Sequence, residues 1–242
     1  LSVGDLFMGA VFPGLILGTM YIAYILIFSL LRPDKAPLSA TRPPLSIWVV
    51  WNVLKSALPA ILLILAVLGS IFAGIATVTE ASGVGAMGAV ILAASNRKLD
   101  FTVLREVVTG TFNVTGYIFG IFIGATCFAL VLRGLGGDQF IEAALSGIPF
   151  GSYGIILVIL GFVFLLGFFL DWIEITLIIL PLLSPVVGGL DILIPDYGVM
   201  DQPVLIWFLV LVAMALQTSF LTPPVGFAIF YLRGVAPKDV QL

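Results

Sequence analysis

Six long apolar runs alternate with short polar stretches along the chain. Residues Leu6 to Leu31 carry no charge, and neither do Ala57 to Thr77 or Phe112 to Leu132. Glu80 to Ser95 is shorter and uncharged after its first residue. An α-helix rises about 1.5 Å per residue and a bilayer core is about 30 Å thick, so a crossing takes about 20 apolar residues. These runs are expected to be membrane-spanning helices. Two further runs carry polar breaks. Gly151 to Gly189 is interrupted by Asp171 and Glu174, and Gln202 to Tyr231 by the segment Gln217 to Pro224. Leu45 to Ser56 and Asp100 to Gly110 mix aromatic and aliphatic residues with Lys55, Arg105 and Glu106. Two readings suit them equally: amphipathic helices in the membrane interface, or helical extensions of the spans that follow.

Charge gives the sidedness. Arg32, Lys35 and Arg42 fall in one polar stretch, Arg97, Lys98 and Arg105 in another, and Arg233 and Lys238 near the end. Two crossings separate the first two clusters, so both lie on one side, which the positive-inside rule makes cytoplasmic. The Pro/Arg/Ser-rich residues 32–44 are then a cytoplasmic loop, with Leu1 outside and the C-terminus inside. The opposite side holds Asp5, Asp138, Glu142, Asp191, Asp196 and Asp201, with Arg133 as its cation. Both ends of the Gly151–Gly189 run lie on that outer side. The run either crosses twice or dips in as a re-entrant hairpin. Its arms, Gly151–Leu166 and Ile175–Gly189, are roughly 15–16 residues each, about 23 Å of helix. That is short for a crossing and favours the hairpin.

Composition agrees. Of the 242 residues, 61% are hydrophobic and 10% charged, and mean hydropathy is +1.26. A soluble domain is about 25% charged, so the fold class is an all-α integral membrane protein with the lipid bilayer as its surroundings. A net charge of −3 argues against a nucleic-acid partner. The absence of histidine removes imidazole catalysis and imidazole metal ligation, and the single Cys127 forms no disulfide within the chain. No HExxH, GxSxG or phosphate-binding glycine loop is present. An enzyme is not expected, nor a cofactor.

Three segments could carry chemistry. In Gly167-Phe-Phe-Leu-Asp171-Trp-Ile-Glu174, each carboxylate costs about 2.5–3.5 kcal/mol at the centre of a membrane helix and needs a reason to be there. One reading is a hairpin tip where half-helices meet and offer carbonyl oxygens and a carboxylate to a hard cation such as Na⁺. The other is an interfacial loop with both acids in water. Asp171, nearer the tip, is the better ligand, and Glu174 could cap the second half-helix. In Gln217-Thr-Ser-Phe-Leu-Thr222-Pro-Pro-Val-Gly226, two prolines break the helix. Thr218, Ser219 and Thr222 add hydroxyls, and Gly226 permits close approach. Freed carbonyls there suit a cation, and the N-terminus of the following half-helix suits a carboxylate. A proline kink without a ligand is the plainer reading. Lastly, Thr77-Val-Thr-Glu80 matches a capping box, and Ala81, Gly85 and Ala89 form a small-residue stripe for helix packing.

Four segments, in this order, resemble the large membrane subunit of TRAP transporters, the DctM type: residues Leu1 to Gly14, Thr77-Val-Thr-Glu-Ala81, Phe169-Leu-Asp-Trp-Ile-Glu174 and Leu221-Thr-Pro-Pro-Val-Gly226. The likeness runs through essentially the whole chain. It implies Na⁺-coupled secondary uptake of an organic acid, usually a carboxylate, in the bacterial cytoplasmic membrane by an elevator mechanism. It implies two partners, a small DctQ-type membrane subunit and a periplasmic solute-binding protein. The family's large subunit has two inverted repeats. This chain resembles the second, as a single membrane domain, residues 1–242. Residues 151–189 would be its re-entrant hairpin and residues 202–233 its discontinuous helix, and the first repeat would lie upstream of Leu1. On this reading Asp171, Thr218, Ser219 and Thr222 serve the cation, and Thr222 and Gly226 reach substrate. A proton-coupled permease of related fold, with Asp171 or Glu174 carrying the proton, is the main rival. A non-transporting membrane scaffold is the second.

Overall fold

A computed structural model describes residues 2–35, 46–194 and 202–222, together with positions 228 and 232. The described chain is helical throughout: α1 Val3–Leu31, α2 Ile47–Phe72, α3 Val78–Ser95, α4 Phe101–Gly134, α5 Gly137–Ser146, α6 Gly151–Leu166, α7 Trp172–Glu174, a π-turn Ile175–Ile179, α8 Leu180–Gly188 and α9 Pro203–Phe220. Five of these, α1 to α4 and α9, are long and apolar enough to cross a membrane. None of the apolar window of α1 is buried within the chain. An exposed, uncharged face of that length is stable only against lipid or another protein.

The two amphipathic stretches turn out to be helical extensions. Ser46 caps α2, its Oγ accepting from the Trp48 amide at 3.3 Å, and the helix runs unbroken through Lys55 to Phe72. Asp100 does the same for α4, where its Oδ1 accepts from the Val103 amide at 2.7 Å. The 34 residues of α4 reach about 51 Å, well beyond a hydrocarbon core of about 30 Å. Its amphipathic first turns, with Arg105 and Glu106, are the part whose composition suits the interface.

The contacts divide the chain into two units, Ala10–Val107 and Leu1–Gly9 with Val108–Leu242. In the first, α3 packs against α2. Ala81 is fully buried, a Cβ on Gly85 would sit 3.2 Å from Val67 Cγ2, and one on Gly88 would strike Leu63. The packed small-residue stripe is therefore Ala81, Gly85 and Gly88. Ala89, expected on this stripe, is exposed.

The second unit holds the core. Phe208, Val212 and Leu216 of α9 recur every four residues on one face and are almost completely buried. They join Ile155, Ile156, Ile159 and Val163 of α6, Ile175 of the π-turn and Leu180, Leu183 and Val187 of α8. Tyr153 and Trp207 meet edge to face, ring centroids 6.4 Å apart. In lipid this core is held by close packing more than by expulsion of water. Each arm of the expected hairpin, Gly151–Leu166 and Trp172–Gly188, is a short apolar helix. The second arm is widened at its middle. Pro181 has no N–H to give the carbonyl four residues back, and the Leu180 amide reaches five residues back to Ile175 instead.

Asp138 and Glu142, expected on the outer side, belong to α5, whose Ile141 and Leu145 lean on the core. An Arg133 Nε–Asp138 Oδ2 ion pair of 3.3 Å, half exposed, ties this helix to the end of α4.

Candidate functional site

Two of the three segments singled out for chemistry meet where α6 ends. The last carbonyls of a helix have no partner within it, and at membrane depth no water need be near to serve them. The turn after α6 serves most of them itself. The Gly167 amide donates to Val163 O, Phe168 to Leu165 O, and Phe169 and Leu170 to Leu166 O. The Phe164 carbonyl is taken by a residue far along the chain: Ser219 Oγ donates to it at 2.9 Å. Ser219 is completely buried. The close approach depends on Gly167, where any Cβ would run into the Ser219 hydroxyl and lie 3.0 Å from Ser219 Cβ. Ser219 thus joins the hairpin tip to the end of α9.

The neighbouring hydroxyls turn back on their own helix. Thr218 Oγ1 donates to Ala215 O at 2.8 Å and Met214 O at 3.1 Å, and Thr222 Oγ1 to Thr218 O at 2.8 Å. Each hydroxyl spends its single proton on a carbonyl and keeps oxygen lone pairs for another donor or a cation. Thr222 lies just past the last residue of α9, Phe220. Pro223, Pro224 and Gly226 lie outside the described residues, as do Arg42, Asp196, Asp201, Arg233 and Lys238.

Beyond the turn Gly167–Leu170 the chain restarts as a helix at Asp171. Asp171 is its N-cap, with extended backbone (φ −72°, ψ 160°) and Oδ1 accepting from the Trp172 amide at 2.8 Å. Capping, expected of Glu174, therefore falls to Asp171. Glu174 turns toward α4, where its Oε1 accepts from Tyr117 Oη at 3.0 Å. Its Oε2 is buried and has no hydrogen-bond partner. Nothing local in the sequence points to this partner, 57 positions away. Among the described residues, no hydrogen bond joins Asp171 to Thr218, Ser219 or Thr222. No group of three or more Cys, Asp or Glu able to hold a metal occurs among them either. Any ion at this tip would rely on carbonyl and hydroxyl oxygens with one carboxylate, a donor set suited to a hard monovalent cation.

The remaining segment is structural. Thr77 and Glu80 close a complete capping box at the head of α3: Glu80 Oε2 accepts from the Thr77 amide and from Thr77 Oγ1, each at 2.8 Å, and the Glu80 amide donates to Thr77 Oγ1 at 3.4 Å.

Residues 1–241 match the family model described as "Tripartite ATP-independent periplasmic transporter, DctM component". The chain is 27% identical over 241 residues to the isethionate TRAP transporter permease protein DctMQ of Oleidesulfovibrio alaskensis, covering 99% of this chain and 36% of that protein. It is 28% identical over 235 residues to the C4-dicarboxylate TRAP transporter large permease protein DctM of Pseudomonas aeruginosa, covering 97% and 51%. With the ectoine TRAP transporter large permease protein TeaC of Halomonas elongata it shares 25% over 232 residues, covering 95% and 50%. The chain thus spans about half, or less, of the curated relatives it matches. With membrane-length helices, a helical hairpin seated on α9 and a family match along essentially its whole length, the chain belongs to the DctM family of TRAP transporter membrane components.

Proposed function

We propose that this chain forms part of a Na⁺-coupled secondary transporter that takes up an organic acid across the bacterial inner membrane. The observation that carries the reading is the junction of the α6 end with the α9 end through Ser219 and the Phe164 carbonyl. It draws together, at the depth of apolar helices, a hairpin tip bearing Asp171 and a helix end bearing Thr218, Ser219 and Thr222. Na⁺ binds oxygens of these groups, and the substrate carboxylate reaches Thr222 and Gly226. The transporter moves between outward-facing and inward-facing states, each biased by bound ion and substrate. A small DctQ-type subunit and a periplasmic solute-binding protein complete the assembly. The name of one relative, DctMQ, joins the two membrane components. The basic clusters at Arg32 and at Arg97, Lys98 and Arg105 orient the chain, with its C-terminus cytoplasmic.

The test is reconstitution of the complete large subunit with its small subunit in proteoliposomes, supplied with binding protein loaded with radiolabelled organic acids. Uptake is expected under an inward Na⁺ gradient and not when K⁺ replaces Na⁺. Asp171→Ala is expected to abolish Na⁺ activation while leaving the protein folded. Wild-type-like Na⁺ activation in that variant would sink the role of Asp171. One observation favours proton coupling as a second reading: the unpartnered, buried Oε2 of Glu174, a place where a proton can be held. Uptake that follows pH alone, and is lost in Glu174→Gln, would establish it.

A further inference from the structure

The chain uses one four-residue pattern twice. Thr77-Val-Thr-Glu80 and Asp171-Trp-Ile-Glu174 each set a capping residue three positions before a glutamate at the head of a helix. At Thr77 the box is closed, and Glu80 reaches back to within 2.8 Å of its cap. At Asp171 it is open, and Glu174 points away to Tyr117. The chemistry of the caps explains the difference. A threonine hydroxyl donates to the returning carboxylate, whereas an ionised aspartate has nothing to donate and would set two negative charges side by side. Yet the open position leaves Oε2 of Glu174 buried without a donor, which is itself unfavourable. The hydroxyl of Tyr117 offsets this by donating to Oε1.

We propose that Tyr117 and Glu174 are positioning residues for the coupling cation: their hydrogen bond holds Glu174 away from the Asp171 cap, so that one carboxylate rather than two faces the ion at the hairpin tip. The inference rests on the reading of Asp171 as an ion-binding residue. It gives Glu174 a part separate from ligation and from proton transfer. Without the Tyr117 hydroxyl, Glu174 loses its anchor and turns to the cation beside Asp171, whose positive charge offsets the repulsion between the two acids. The added negative charge then tightens the cation site.

The experiment measures initial uptake against Na⁺ concentration, K⁺ holding ionic strength constant, for the complete reconstituted transporter with loaded binding protein. Tyr117→Phe is expected to lower the Na⁺ concentration for half-maximal uptake by about threefold or more, the size expected of one charge moved a few ångströms at a partly screened site. Glu174→Asp keeps the charge but is too short to reach Tyr117. It is expected to shift half-saturation the same way, and it stands in should Tyr117→Phe fail to fold. In a Glu174→Gln background, Tyr117→Phe is expected to have no effect on half-saturation, because no charge is left to return. A merely structural bond would lower maximal uptake in every variant and leave half-saturation in place. A Na⁺-dependent wild type whose half-saturation is unmoved by Tyr117→Phe overturns the inference alone, as does a shift that survives Glu174→Gln. A wild type that transports without Na⁺ overturns the underlying reading instead.

Discussion

The two helix heads at Thr77 and Asp171 differ in what their glutamates reach. Glu80 closes on its own cap, within its own turn, and the result is a self-contained helix start. Glu174 bonds to another helix, so the start of the second hairpin arm depends on α4 and, through the Gly167 turn, on α9. A closed box is a local device that works on any helix. An open one transmits, because moving either partner changes what surrounds Asp171. The polar residues that hold the first head belong to one turn of chain. Those that hold the second are spread over more than a hundred residues, from Tyr117 to Ser219.

The comparison breaks most severely at Gly167. A methyl group there lands on Ser219, which is completely buried and has no room to yield. Gly167→Ala is expected to cost about 1–3 kcal/mol, the range for overpacking a filled site, and to lower the melting temperature in detergent together with uptake. Thr77→Ala opens the closed box. The expected cost is about 1 kcal/mol, ordinary for loss of an N-cap, with Na⁺ half-saturation unmoved, since that head touches no proposed site. Asp171→Thr converts the open box to the closed kind by supplying a hydroxyl that donates. Its expected effect on stability is the smallest, a gain of under about 1 kcal/mol. It should nevertheless remove Na⁺-dependent uptake. A structure of that variant with Glu174 still on Tyr117 would show that cap chemistry does not decide where the acid goes.

What could be read from the sequence follows the same division. Thr77 and Glu80 were legible because their partners lie three residues apart, within one turn of helix. The short hairpin arms were legible because Asp171 and Glu174 interrupt an apolar run that is otherwise continuous. Whether Leu45–Ser56 and Asp100–Gly110 formed separate helices was not legible, since amphipathic pattern is compatible with either. Continuity comes from Ser46 and Asp100 capping farther upstream. The role of Ser219 was out of reach. Its hydroxyl marks it as polar in an apolar helix, but its partner is a backbone carbonyl 55 residues earlier, which side-chain chemistry does not encode. The bond that Glu174 makes was out of reach for a related reason, because its partner, Tyr117, lies in another helix.

A π-turn holds one more residue than the α-turn it replaces, and in an α-helix each residue carries the side chains about 100° around the axis. The widened turn Ile175–Ile179 therefore takes up one extra residue within a single turn and keeps the two ends of the second arm in phase. At one end Asp171 and Glu174 stand at the tip, and at the other Leu180, Leu183 and Val187 lock into the core with Phe208 and Leu216. Removing a single isoleucine from this run would restore an ordinary helix and keep every polar group of the tip. Because the widened turn absorbs its extra residue, the two ends would stay in phase, and Glu174 would still face Tyr117. The aim of that acid thus tolerates the extra residue, which the widened turn ahead of Pro181 takes up.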